Sequence, residues 1–150
     1  MLKNKLLLIS FLTILFIAVF HYLSIKYSWY WTYRWLDIPV HILGGFWVSL
    51  TTIWVSLKAK HVDSIYGYKK KVLFLMLISV LSIAIFWEVF ELIFGVTSLS
   101  KYGYWQDSIS DIINGFVGGI ISFIYFTKNK PVKDSTVLDL NNSLSMVLKH

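Results

Sequence analysis

Five of the eight acidic residues lie at or inside the ends of long, nearly uncharged stretches, together with a histidine and an asparagine. Carboxylate and amide oxygens are the ligands that Mg²⁺, Mn²⁺ and Ca²⁺ prefer, and the imidazole also admits Zn²⁺. The cofactor stays unknown: a divalent cation is one candidate, and protonation of some carboxylates or pairing with His41, Arg34 or Lys101 are the alternatives, since neither an HExxH motif nor an EF-hand loop is present. The expected metal ligands are Asp37, Asp107, Asp111 and Asn114.

The same groups include candidates for acid–base catalysis. An imidazole titrates near neutral pH, and burial tunes a carboxyl group toward the same range. The candidate catalytic residues are His41, Glu88 and Glu91. Whether the protein is an enzyme stays open. If it is one, metal-assisted phosphoryl or glycosyl-lipid chemistry suits this set best. The alternative is a buried hydrogen-bond network that fixes helix register, for which five carboxylates are excessive.

The composition excludes several classes of protein. Hydrophobic residues make up 57% of the 150 residues and charged residues only 15%, whereas soluble domains carry about 25% charged residues. The absence of cysteine excludes disulfides, thiolate metal sites and a cysteine nucleophile. A net charge of +6 would suit nucleic acid, but the lysines lie beside membrane spans, so no nucleic-acid partner is expected. The chain is predicted to be an integral membrane protein.

Four apolar stretches are long enough to span a bilayer. At 1.5 Å per residue, about 20 residues cross the hydrocarbon core of about 30 Å. These spans are helices, because lipid offers no hydrogen-bond partners to an open strand. The first is predicted to be an uncleaved helix rather than a signal peptide. The sequence thus predicts an all-α bundle of four transmembrane helices, with an outward-facing polar pocket between spans two, three and four. The spans are residues 6–25, 38–57, 72–95 and 107–127.

The basic residues predict the orientation of the bundle. Eleven of the fourteen fall on one side of the four-span topology and three on the other, and such an excess marks the cytoplasmic side. Both termini are therefore expected in the cytoplasm of a bacterial cell, with the protein in the inner membrane. Residues 128–150 form a cytoplasmic tail that is either frayed or a short amphipathic helix. The three outer basic residues are Lys26, Arg34 and Lys101.

Helical spacing brings the polar groups to one depth. Asp37 and His41 lie four residues apart at the start of span two, and Asp107 and Asp111 repeat this spacing at the start of span four. Residues four apart share one face of a helix. The two glutamates of span three lie near its outer end. Three helices therefore bring polar side chains to one layer beneath the outer surface.

Small and aromatic residues surround this layer. Gly115 and Gly119 form a GxxxG pair, which predicts close helix packing within the bundle or in a homo-oligomer. Aromatic residues concentrate on the outer side. They are interpreted as interfacial anchors, with a platform for sugars or other rings as the alternative. These aromatic residues are Trp29, Tyr30, Trp31, Tyr33, Trp35, Tyr102, Tyr104 and Trp105.

Three motifs in this layer resemble known bacterial families. Residues 37–45 resemble the Asp-x3-His…Gly element of the YjdF inner-membrane family. Residues 86–91 are similar to its aromatic–Glu–x2–Glu element, and residues 104–119 to its Trp-Asp-x3-Asp…Gly element. Asn114, Gly115 and the glycines after them are also similar to VanZ-like proteins, which are associated with glycopeptide-antibiotic resistance. The resemblance implies an envelope role and supplies no established reaction.

The expected function is to bind, and as an enzyme to modify, a membrane lipid or a lipid-linked envelope precursor reached from the outer leaflet. A non-catalytic envelope or resistance factor of the VanZ-like kind is the main alternative. A proton-coupled carrier is less favoured, because the acidic residues stop on one side of the membrane and form no relay through the spans.

Overall fold

The computed structural model describes residues 2–59, 65–94 and 102–129, and within these ranges the chain is helical, without strands. Four long helices are each long and apolar enough to cross a membrane. The predicted four-helix membrane bundle is thereby confirmed. The elements are α1 (Leu2–Lys26), α2 (Trp29–Thr32), a 3₁₀ turn (Arg34–Leu36), α3 (Asp37–Lys58), α4 (Ile65–Ile93) and α5 (Tyr104–Asn129).

Large apolar side chains cover the outside of the bundle. Phe11 and Phe16 of α1, Phe74 of α4 and Ile113 of α5 are all more than half exposed in the isolated chain. In water such a surface would aggregate, whereas in lipid it matches the surrounding hydrocarbon. The apolar part of the exposed surface along the spans is therefore the part that faces lipid.

Helix α3 lies at the centre and packs against α1, α4 and α5, whereas α1 and α4 barely touch each other within the described residues. Within the part of the chain that the structure describes, two side-chain hydrogen bonds join α3 to neighbouring helices. The Ser10 and Thr51 hydroxyls lie 2.8 Å apart between α1 and α3, and the Ser49 hydroxyl donates to the Gly119 carbonyl of α5 at 3.2 Å. These bonds fix the register of α3 against both partners.

Helices α3 and α5 approach until their backbones touch. A Cβ built on Gly45 would lie 1.9 Å from the Gly115 carbonyl oxygen, and one on Gly118 would lie 1.8 Å from the Ile42 oxygen. Gly119 is less constrained, since its Cβ would meet the Met76 sulfur at 3.0 Å. The expected close packing at Gly115 therefore occurs within one chain, with Gly118 rather than Gly119 at the tightest point. A homo-oligomer through Gly115 and Gly119 stays a prediction.

The larger of the two buried apolar clusters among the described residues lies in the half of the bundle away from Asp37. Its buried members come from all four long helices, and their contacts hold the cytoplasmic ends predicted for those helices together. The Lys58 ammonium at the end of α3 lies 4.7 Å from the centroid of the Trp54 ring, as a snorkelling lysine does at an interface. The buried cluster consists of Leu6, Leu50, Ile53, Val72 and Phe126.

The aromatic segment before α3 divides into two parts. Trp29 and Tyr30 are half-buried, and the Trp29 ring lies 6.2 Å from that of Phe20 on α1. Tyr33 and Trp35 are exposed, as interfacial anchors are. The predicted amphipathic tail lies outside the described residues beyond Asn129.

The α3–α5 contact predicts that alanine substitutions at two adjacent glycines have opposite effects on stability. Gly45→Ala places a methyl group against backbone and should destabilise the protein by about 2 kcal/mol or more. Gly44→Ala is the matched control, because its Cβ would meet nothing within 4 Å and alanine is the better helix former. Thermal unfolding in detergent should show a lower Tm for Gly45→Ala and an equal or higher Tm for Gly44→Ala. Equal losses would contradict the close contact.

Candidate metal centre and the adjoining cavity

Asp37, His41 and Asp111 form a cluster where the starts of α3 and α5 meet. Nε2 of His41 lies 3.4 Å from Oδ1 of Asp37, one turn earlier on α3, and 3.6 Å from Oδ1 of Asp111 on α5. One donor atom from each residue lies within 4.8 Å of the other two. Ligands that share one cation at about 2.1 Å lie roughly 3 Å apart, so small side-chain shifts would complete a site.

Burial differs across this cluster. The side chains of His41 and Asp111 are only 15% and 12% exposed, whereas that of Asp37 is 41% exposed. Asp111 also interacts electrostatically with the carboxylates of Asp107 and Glu88. Several carboxylates in a low-dielectric setting repel one another, and a divalent cation relieves this repulsion. The cluster therefore has both the ligands and the charge that favour a cation.

The two glutamates of α4 lie near the cluster, and each accepts a hydrogen bond from a neighbouring side chain. The Ser108 hydroxyl of α5 donates to Oε2 of Glu88 at 2.5 Å, and the Trp87 indole donates to Oε1 of Glu91 at 2.9 Å. The charge of Glu91 also interacts with those of Asp37 and His41. Both candidate catalytic glutamates thus lie beside the cluster, outside the group of three potential ligands.

Asp107 and Asn114 also lie outside that group. Asp107 is exposed in the first turn of α5, where the helix dipole stabilises a negative charge. Asn114 donates to the Ser110 hydroxyl on its own helix at 3.4 Å. Their roles as metal ligands stay predictions, while the structure brings Asp37, His41 and Asp111 together.

A second polar contact was not anticipated from the sequence. Nδ1 of His21 on α1 lies 3.0 Å from the Tyr30 hydroxyl, and the His21 ring lies edge-on to Trp87 of α4 at 6.1 Å. Burial raises the pKa of the Tyr30 phenol, and the negative charge of Asp37 raises it further. The phenol therefore keeps its proton and is able to donate a hydrogen bond to Nδ1 of His21. A lone histidine near the end of a span was the only sequence signal for this contact.

A cavity of about 160 Å³ adjoins the cluster. His41 and Asp111 stand in its wall, and most of the remaining lining is apolar. The sequence predicted a polar pocket between spans two, three and four, but α1 also contributes to the wall, because it packs on the face of α3 next to His41. The lining includes Ile14, Ile17, Gly44, Ile83, Ala84 and Trp87.

The chemistry of this arrangement follows from its donors. Two carboxylates and one imidazole supply three ligands, and a cation with three protein ligands keeps positions open for water or substrate. The imidazole suits Zn²⁺ and the carboxylates suit Mn²⁺ or Mg²⁺. Such a centre is able to bind and polarise the oxygens of a phosphate or similar group.

Comparison with known proteins places the chain in a family. A family model described as "Predicted membrane protein (DUF2238)" matches residues 2–130. The match covers most of the chain, so the chain belongs to this family. No curated protein and no solved structure matches the chain. The expected membrane-protein family is confirmed at this level, and the likeness to YjdF and VanZ-like proteins stays a prediction.

The cluster predicts one bound divalent cation that depends on Asp111. Removing an outer-shell partner of a metal already costs 10–100-fold in affinity, so Asp111→Asn should weaken binding by about a hundredfold or more. Purified protein without a histidine tag should be stripped with chelator and titrated with Mn²⁺, Zn²⁺, Mg²⁺ and Ca²⁺. Bound metal is then measured by elemental mass spectrometry.

Asp107→Asn is the matched control for this titration. It removes the same charge four residues earlier on α5, outside the group of three ligands, and should weaken binding much less. Equal weakening by both variants would indicate either that Asp107 is a ligand as well or that general negative charge attracts the ion. An absence of stoichiometric binding by the wild type would contradict the metal centre.

Proposed function

We propose that this DUF2238 protein binds the phosphate-bearing head group of a membrane lipid or lipid-linked envelope molecule through a divalent cation. Asp37, His41 and Asp111 hold the cation, and its open positions take phosphate oxygens. The observation that carries the proposal is the convergence of these three donors from two membrane-spanning helices. A site in that position meets the head groups of lipids before it meets free solutes.

Charge supports a cation-mediated rather than a direct contact. A phosphate brought to two bare carboxylates would be repelled, and the neighbouring Glu88 and Asp107 add to the repulsion on Asp111. A divalent cation neutralises Asp37 and Asp111 and presents an electrophilic centre to the ligand. Without a cation the same cluster would favour an amine-bearing head group, so the metal dependence of binding separates the two cases.

The proposed site faces the outer leaflet. The positive-inside bias directs Lys58, at the end of α3, to the cytoplasm, and Asp37 begins the same helix at the opposite end. The ligand is therefore reached from the outer side of a bacterial inner membrane. This position agrees with an envelope role of the kind that the YjdF and VanZ-like resemblances imply.

Lipid binding should depend on both the metal and the cluster. Phosphatidic acid titrated into protein in maltoside micelles should stabilise the wild type, because a ligand that binds the folded state raises Tm. The rise in Tm should require added Mn²⁺ or Zn²⁺. In Asp111→Asn the apparent affinity for phosphatidic acid should be at least about tenfold lower than in the wild type. Diacylglycerol is the phosphate-free control.

Three results of this titration contradict the proposal. They are a rise in Tm with phosphatidic acid that does not need metal, an equal rise in Tm with diacylglycerol, and, when an amine-bearing lipid is titrated in the same way, a rise in Tm with that lipid alone. Release of inorganic phosphate in the same samples is measured in parallel. Metal-dependent release would establish turnover, and binding without release would establish a receptor.

The orientation is tested with single cysteines in a chain that has none of its own. Tyr102→Cys, before α5, and Ala59→Cys, after α3, replace exposed residues at opposite ends of the bundle. In intact cells a membrane-impermeant thiol reagent should label position 102, and position 59 should react only after permeabilisation. The reverse pattern would place the cluster on the cytoplasmic side and remove the outer-leaflet part of the proposal.

A further inference from the structure

The cavity beside the cluster has the size and lining of a site for hydrocarbon. A cavity of about 150 Å³ lined by apolar side chains holds a benzene-sized group, and this one measures about 160 Å³. It therefore accommodates a short segment of a single alkyl chain. Water is a poor occupant, because a buried water needs two to four polar partners, and apart from the indoles of Trp47 and Trp87 the polar side chains in the wall are those of His41 and Asp111.

The cavity is lined by all four long helices, two of which make little contact with each other. Within the described residues α1 and α4 barely touch. The His21 and Trp87 rings bridge them near the outer end. Three to seven residues deeper along these helices, Ile14 and Ile17 of α1 and Ala84 of α4 line the cavity. A chain from the surrounding bilayer would thus reach the cavity between α1 and α4, beside the His21–Trp87 bridge.

We propose that this cavity takes one acyl chain of a phospholipid whose phosphate lies at the Asp37–His41–Asp111 cluster. The inference rests on the proposed function for the head group and adds the class of molecule and its route. Phospholipids present a hydrocarbon chain next to a phosphate, and His41 and Asp111 belong both to the cluster and to the cavity wall. Head and chain therefore bind at adjoining surfaces.

Gly44 and Ala84 offer two ways to fill the cavity from opposite walls. A Cβ on Gly44 meets nothing within 4 Å, so Gly44→Leu projects a side chain from α3 into the cavity. Ala84→Leu does the same from α4, away from the three ligands. Ser82→Leu is the matched control, because it adds equal bulk at an exposed position two residues from Ala84.

The probe is a phosphatidic acid with a photoreactive diazirine in the middle of one acyl chain, in maltoside micelles with Mn²⁺. Irradiation should cross-link the wild type at cavity-lining residues of α1 and α4. Cross-linking there should fall at least about tenfold in Gly44→Leu and Ala84→Leu and stay unchanged in Ser82→Leu. Stoichiometric Mn²⁺ binding by each variant shows that it is folded and that its head-group site is intact.

The outcomes separate this inference from the proposed function. If phosphatidic acid raises Tm with Mn²⁺ but both leucine variants cross-link like the wild type, the head-group site stands and the acyl-chain site is overturned. Cross-links confined to lipid-facing residues such as Phe74 and Phe86 also overturn it. The acyl-chain site is likewise overturned if a photoreactive prenyl phosphate labels the cavity and the phosphatidic acid probe does not. If neither phosphatidic acid nor the prenyl phosphate binds even with metal, the proposed function itself fails.

Discussion

The backbone contact between α3 and α5 is the constraint on which the candidate site depends. Gly45 lies one turn after His41, and Gly115 lies one turn after Asp111, so the glycine pair and the ligand pair share one register. A side chain at Gly45 would overlap the Gly115 carbonyl and push the helices apart. The 3.6 Å separation between His41 and Asp111 would then widen beyond the reach of a single cation.

That constraint also weakens the purely structural explanation of the polar cluster. Polar pairs in membrane proteins contribute only about 0.6 kcal/mol on average. The register of α3 on α5 is already fixed by the glycine contacts and by the bond from Ser49 to Gly119. Ionisable groups in the same place add desolvation cost without being needed for that purpose. The proposed ligand binding would account for their presence where register does not.

The sequence was sufficient to predict the four spans and the layer of acidic residues. It was insufficient to predict which of these acidic residues lies next to His41. Asp107 and Asp111 lie four residues apart on one face of α5, so the position of α5 along its axis relative to α3 decides which one meets His41. That position is set by the Gly118–Ile42 contact, which no one-dimensional pattern reveals. Likewise Ile14 and Ile17 are indistinguishable in sequence from lipid-facing residues of α1, so the contribution of α1 to the cavity required the helices to be placed.

Two destabilising features lie within one turn of each other. One is a group of carboxylates in low dielectric, and the other is the apolar cavity beside Gly44. Stability alone would favour a side chain there, since alanine gains about 1 kcal/mol of helix propensity over glycine and reduces the cavity. In the proposed complex, a phosphate bound through a cation would offset the first cost, and a hydrocarbon chain would offset the second. A single amphiphile supplies both groups, and His41 and Asp111 belong to both the cluster and the cavity wall, which is the reason for proposing that the two form one site.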